Sequence, residues 1–144
     1  MFNKNLLIKP SASIKEALKQ LSKSGKRCLI VVDKKTKLLG TITDGDVRRV
    51  ILKGKFLKDN INNIYEKNPI YLIRGKYSLS QTKDLFLKEG IDIIPIIDDN
   101  NKVISVLSYQ DSIFSIGQKP IGPGFPTFIV SEIGNNHNGD LSIA

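Results

Sequence analysis

From Ile8 to Asp111 one pattern is written twice. With Gly25 placed on Gly90, GKRCLIVVDKKTKLLGTITDGD overlies GIDIIPIIDDNNKVISVLSYQD without a gap. Asp33 falls on Asp98, Gly40 on Ser105, Thr43 on Ser108 and Asp46 on Asp111; upstream, Ser13 falls on Ser78, Ile14 on Leu79 and Ile8 on Ile73. A match of this length marks a tandem duplication, and a duplication constrains a fold more than any single motif. Whatever one half forms, the other must form too. Neither half has enough apolar surface to be comfortable alone, so the halves are expected to pack on each other about a pseudo-twofold axis.

Each half has the same grammar. A short apolar entry, LLI near Leu6 and IYLI near Ile70, reads as a strand. A helix follows, opened by Ser13-Ile-Lys-Glu16 in the first half and Ser78-Leu-Ser-Gln81 in the second. Both openings are capping boxes, in which hydroxyl and carboxylate or amide satisfy the free N–H groups of the first turn reciprocally. Ile14, Ala17, Leu18 and Leu21 share one face of the first helix. Gly25 and Gly90 stand where a left-handed C-terminal cap belongs. Two strands come next, CLIVV with LLGTIT and IIPII with VISVL, joined by the polar turns DKKTK and DDNNK. The unbroken Val/Ile runs predict strands covered on both faces. A last helix is expected to begin near Asp44 in one half and near Tyr109 in the other.

Composition sets the class. The 144 residues are 40% hydrophobic and 25% charged, a globular profile. The longest apolar runs, such as Cys28–Val32, are strand-sized, so no membrane span is expected. The opening MFNKNLLIKP has no signal-peptide core, and a single cysteine, Cys28, forms no disulfide within one chain; both point to the cytoplasm. The net charge of +8 comes from scattered lysines with no aromatic-interleaved basic stripe, so neither nucleic acid nor a membrane is expected as partner. With one histidine, His137, and one cysteine, neither a zinc cluster nor a Cys/His nucleophile pair is expected, and no residue is assigned as catalytic or metal-binding. Cys28 reads as core.

In both halves a strand runs into Thr/Ser-x-x-Asp and then a helix: Thr43 to Asp46, and Ser108 to Asp111. One reading is a helix cap and nothing more, with the carboxylate favouring the positive helix end. The other is a ligand site, since free N–H groups and the helix dipole suit an anion and a nearby carboxylate suits ribose hydroxyls. The spacing leaves both open.

Two βαββα-type repeats, each ending in an apolar strand and Thr/Ser-x-x-Asp, resemble a pair of CBS domains, the Bateman module, over roughly Asn5 to Ile116. LLGTITDGDVRR is typical of that family's ribose-phosphate signature, and its TDGD-Arg-Arg spelling is similar to pairs attached to bacterial sugar-phosphate and nucleotide-sugar enzymes. The resemblance implies an α+β fold and a regulatory adenine-nucleotide ligand (AMP, ADP or ATP). Thr41, Thr43 and Asp46 would hold ribose and phosphate. Arg48 or Arg49 would neutralise phosphate charge, and Ile70, Ile91 and Asp92 would contribute from the second repeat. A mirror site would use Leu107, Ser108 and Asp111, facing Ile8, Lys26 and Arg27. It departs from the pattern: Ser105 replaces Gly40, making backbone approach less free, and Ser112 and Ile113 replace the arginines. The first site is therefore expected to be the better one. The family also implies a disc-like homodimer, and some members serve only as ligand-free dimerisation modules.

The repeats are expected at residues 5–60 and 66–117, with a Pro/Gly-rich linker at 118–126. The remainder, 127–144, opens an apolar strand followed by Glu132 and the run Asn135-Asn136-His137-Asn138-Gly139-Asp140. Polar chemistry just past a strand end suits the first loop of a (β/α)8 barrel, and equally an Asn/Gly-rich surface turn. E-I-G-x-N-H-N-G-D resembles the opening of sialic acid synthases, which condense phosphoenolpyruvate with an N-acetylated hexose. That resemblance implies a parent synthase whose catalytic domain is the module's partner, and a chain that ends just inside it. One strand closes no barrel, so the chain itself is expected to be non-catalytic.

Overall fold

The computed structural model describes residues 4–109, 114–116, 119–121 and 129. The chain divides into two compact units, Met1–Gln110 and Asp111–Ala144. The first repeat and the second as far as Gln110 therefore share the first unit.

The first repeat begins with a 3₁₀ turn, Lys4–Leu6, leading into strand β1 (Leu7–Ile8), and continues through helix α1 (Ile14–Ser24), β2 (Cys28–Val32), β3 (Leu38–Thr43) and α2 (Asp44–Leu52). The second repeat holds β4 (Leu72–Ile73), α3 (Leu79–Glu89), β5 (Ile93–Ile97) and β6 (Val103–Ser108). Each forms a three-stranded sheet with its first strand parallel and its last antiparallel to the middle one, in the orders β1-β2-β3 and β4-β5-β6. The expected α+β class and the repeat of elements are both present. The apolar entries are shorter than the sequence implies, and Ile70 and Tyr71 precede β4 rather than lie in it.

Local chemistry sets the boundaries. Ser13, Thr43 and Ser78 are N-caps with complete capping boxes closed by Glu16, Asp46 and Gln81. Gly25 and Gly90 end α1 and α3 at φ 65° and 62°, a left-handed conformation open to glycine at no steric cost. Asp33 and Asp98 each tie the following hairpin turn by accepting two backbone N–H groups on Oδ1, from Lys35 and Lys37 and from Asn100 and Lys102.

The two halves meet through bonds that the repeat makes reciprocal. Leu38 N–H donates to the Asn101 carbonyl at 2.9 Å, and Val103 N–H donates to the Thr36 carbonyl at 3.0 Å. Within each repeat a further matching pair forms: Asp44 N–H donates to the Arg27 carbonyl at 3.0 Å, and Tyr109 N–H to the Asp92 carbonyl at 3.2 Å. Exchanging one repeat for the other turns each bond into its partner, as a pseudo-twofold arrangement requires. The middle strands β2 and β5 are buried along their whole length. One core cluster joins Ile14, Ala17 and Leu21 of α1 and all of β2 to Ile93, Ile97 and Val103 of the second repeat.

The halves are not equal. Thr82 and Phe86 of α3 occupy the places of Ala17 and Leu21, and a smaller cluster forms around Leu72, Phe86, Ile94 and Ile96. Leu72 pairs with Ile96, whereas Leu7 pairs with Ile30, the counterpart of Pro95, so the parallel register has moved one residue. Proline has no N–H to give that ladder.

The second unit corrects the expected final helix. Phe114–Ile116 is a strand, β7, paired antiparallel with β8, Lys119–Ile121, which falls inside the segment read as linker. Proline disfavours a continuing helix but is accepted in an edge strand, and Phe114 pairs with Ile121, Ser115 with Pro120 and Ile116 with Lys119. The expected barrel strand over residues 127–144 lies outside the described residues apart from Ile129, which is exposed. No described helix is long and apolar enough to cross a membrane.

Candidate functional site

A cleft of about 700 Å³ opens where the end of β3 and the start of α2 face the connection into the second repeat and the turn before β5. That volume lies within the range of small-molecule sites. It is lined by Thr41, Thr43, Asp46 and Arg48 from the first repeat and by Ile70, Ile91 and Asp92 from the second. Seven residues singled out from the sequence are thus brought to one place.

The first-repeat wall is built by a strand running straight into a helix. Thr43 Oγ1 accepts from Asp46 N–H at 3.1 Å, while Asp46 Oδ2 accepts from Thr43 N–H at 2.9 Å and from Thr43 Oγ1 at 2.7 Å. The helix-cap reading is therefore realised, and the same geometry presents the carboxylate at the cleft. Asp46 Oδ1 accepts from Arg49 at 3.1 Å, and Asp44 pairs with Arg48 at 2.8 Å. Arg49 does not line the cleft. Three residues after Asp46, it bonds that carboxylate from an exposed helix position, so of the two arginines only Arg48 stands at the site.

The opposite wall follows from the connection between repeats. Thr41 and Glu66 exchange backbone bonds, Thr41 N–H to the Glu66 carbonyl at 3.0 Å and Glu66 N–H to the Thr41 carbonyl at 2.8 Å. This antiparallel bridge brings Asn68, Pro69 and Ile70 to the rim. It also explains Gly40. A Cβ there would run into the Glu66 carbonyl oxygen and the Tyr65 ring, so the close approach that glycine permits is that of the crossing chain. Ile91 and Asp92 are held by Asp92 Oδ2, which accepts from Arg27 N–H at 3.2 Å.

At the floor lies Cys28, buried and with no disulfide partner. Burial, reinforced by the negative charges of Asp46 and Asp92, pushes its thiol up to about 12, so it stays protonated and unreactive. The sequence reading missed Glu66, Asn68, Glu89 and Asp44 as lining residues. Glu66 and Asn68 sit in the connection, where the repeat gives no periodic signal, and Glu89 ends a helix whose other exposed positions look the same.

The mirror site is described only as far as Tyr109. Ser108 is 3% exposed and its Oγ accepts from Lys26 Nζ at 3.3 Å, so Lys26 covers the hydroxyl. Ile8 is core and lines a separate surface groove with Asn5, Gln20 and Lys23. Leu107 packs against the second core cluster. Arg27 lines the first cleft. Asp111, Ser112 and Ile113 lie outside the described residues.

Comparison with known proteins bears on the same region. The CBS domain family model matches residues 1–53. An uncharacterised Helicobacter pylori protein (strain 26695) is 34% identical over 101 residues, covering 70% of this chain and 31% of that protein. The Escherichia coli arabinose 5-phosphate isomerase GutQ is 28% identical over 101 residues with the same coverage. The chain thus spans about a third of the length of these curated relatives. Among solved structures, the CBS-pair protein CBSX2 from Arabidopsis thaliana covers 76% of this chain and 84% of its own at a TM-score of 0.65 and 22% identity. The CBS domain pair of protein MJ0100, in complex with 5′-methylthioadenosine and S-adenosyl-L-methionine, covers 72% and 81% at a TM-score of 0.61 and 26% identity. The family match over the first repeat and the likeness of both repeats to solved pairs support a CBS domain pair.

Proposed function

We propose that this module is a regulatory sensor of an adenine nucleotide, AMP, ADP or ATP, bound in the cleft between its repeats and itself without catalytic activity. The observation that carries the reading is the convergence of Thr41, Thr43 and Asp46 with Ile70, Ile91 and Asp92 on one cleft. Adenine would lie between Ile70 and Ile91, ribose hydroxyls would donate to Asp46, and a phosphate would meet Thr43 and Arg48 at the start of α2. CBSX2 with AMP, the cytosolic domain of the Mg2+ channel MgtE with ATP, and the CBS domain pair of MJ0100 with 5′-methylthioadenosine and S-adenosyl-L-methionine share this fold and support an adenosine ligand. A bound nucleotide contacts both repeats, so it would bias their relative arrangement by its differential affinity for two states.

Thermal unfolding with AMP, ADP, ATP and S-adenosylmethionine tests this on the wild type, Asp46→Ala and Asp111→Ala. Ligand at about 100 times its dissociation constant adds roughly 2.7 kcal/mol. The expected shift is lost in Asp46→Ala and kept in Asp111→Ala. No shift with any ligand refutes the sensor, and the reverse pattern of loss assigns the ligand to the mirror site.

A second reading, a homodimerisation module with empty sites, draws on exposed apolar side chains at the end of α2 and in the segment after it: Leu52 is 88% exposed and Phe56 67%. The parent protein is a separate proposal. Glu132 and Asn135–Asp140, outside the described residues, support a sialic-acid-synthase-type catalytic domain downstream, on sequence alone. Sugar-acid synthesis by the longer protein and none by this chain is the outcome that proposal requires.

A further inference from the structure

We propose that the cleft prefers an adenosine whose 5′ carbon carries an uncharged or positively charged group over one carrying phosphates. This rests on the adenosine part of the reading above and departs from its phosphate part, since it ranks AMP, ADP and ATP below ligands without phosphate. Of the charged side chains lining the cleft, five are carboxylates and two are guanidinium groups, a negative balance in a chain of net charge +8.

The positive end of α2 is the natural seat for a phosphate, but it is already taken. Asp44 and Asp46 stand in its first turn and Thr43 closes the cap, so the dipole meets the chain's own carboxylates first. Of the arginines on α2, Arg48 pairs with Asp44 and Arg49 with Asp46, which leaves Arg27 as the other cation of the lining against five carboxylates. A phosphate that drew Arg48 away would uncover Asp44 beside itself. Glu66 and Glu89 add two negative charges from the opposite wall, and Asp92 a third. No three of the described carboxylates converge closely enough to hold a metal ion, so they act as a field, not a chelate. The raised thiol of Cys28, owed to burial and then to Asp46 and Asp92, is a sign of that field at the cleft floor.

This charge is particular to the first cleft. Under the repeat register, Glu66, Glu89 and Asp44 fall on Met1, Ser24 and Tyr109, and Ile91 and Asp92 fall on Lys26 and Arg27. A neutral nucleoside uses what the cleft offers: apolar surface at Ile70 and Ile91 for the base, and carboxylate acceptors for ribose hydroxyls.

Calorimetric titration of the full chain with adenosine, 5′-methylthioadenosine, AMP and ATP, in EDTA at low and at high salt, tests the proposal. Adenosine and 5′-methylthioadenosine should bind at least about tenfold more tightly than ATP at low salt, from Coulomb repulsion across the cleft. High salt, and the Glu66→Gln/Glu89→Gln double variant, should both narrow that ratio. ATP or AMP binding as tightly as adenosine would overturn the selectivity and leave the adenosine site standing. A ratio unmoved by both salt and the double variant would also overturn it, since charge would then not be its cause. Binding by none of the four would remove the adenosine site itself.

Discussion

A methyl group at Gly40 would meet the Glu66 carbonyl and the Tyr65 ring, both parts of the chain crossing β3. Gly40→Ala is therefore expected to cost about 1–3 kcal/mol, the usual range for forcing atoms into a packed site, read as a lower urea midpoint. A midpoint unchanged from wild type would show that the crossing chain yields easily. Cys28 gives a second residue-scale expectation. Buried and with its thiol pushed up to about 12, it should react with a thiol reagent at neutral pH at least about a hundredfold more slowly in the folded protein than in urea. Fast labelling of the folded chain would place that sulfur elsewhere. Gly40 and Cys28 also show how legibility differs among residues. Cys28 was readable as core because burial follows from an unbroken apolar run. The need for Gly40 was not, because it arises from Tyr65 and Glu66, remote in sequence and without repeat counterparts that signal them.

At the scale of elements, the two first helices of the repeats make the same cap with different chemistry. The α1 box closes with Glu16, whose carboxyl is held below the ordinary glutamate value by hydrogen bonds from the Ser13 backbone and hydroxyl; the α3 box closes with neutral Gln81. A carboxyl lowered on folding contributes stability above its unfolded value and loses it as pH falls through the folded one. The melting temperature of wild type should therefore drop more steeply with acid below the ordinary glutamate range than that of Glu16→Gln, which keeps an α3-type box. Identical acid profiles would remove Glu16 from the account. Thr43→Ala, removing the cap at α2, should cost about 1 kcal/mol by urea unfolding. Elements were largely legible because caps, glycine stops and apolar runs are local signals. β7 and β8 were not: Phe114-Ser-Ile and Lys-Pro-Ile are too short to carry a period, and the repeat register pointed to a helix there.

At the scale of the molecule, the duplication makes the fold and the chemistry makes the difference between its halves. The reciprocal bonds between Thr36–Leu38 and Asn101–Val103 hold the repeats in one unit, and near symmetry generates two candidate sites. Only one, among the described residues, gathers a carboxylate-bearing cap, an apolar pair and an open cleft; the other has its hydroxyl covered by Lys26. Sequence reading chose the first site from Arg48, Arg49 and Gly40. Of those three reasons, Arg48 lines the cleft, whereas Arg49 lies outside the lining and Gly40 serves the crossing chain. The central claim is where an adenosine ligand sits. Backbone amide chemical-shift mapping of the full chain during titration with AMP and with adenosine tests it most directly. The account predicts perturbations clustered at Thr41–Asp46 and Gly90–Ile93. Perturbations centred on Lys26 and Ser108, or none with either ligand, would contradict it.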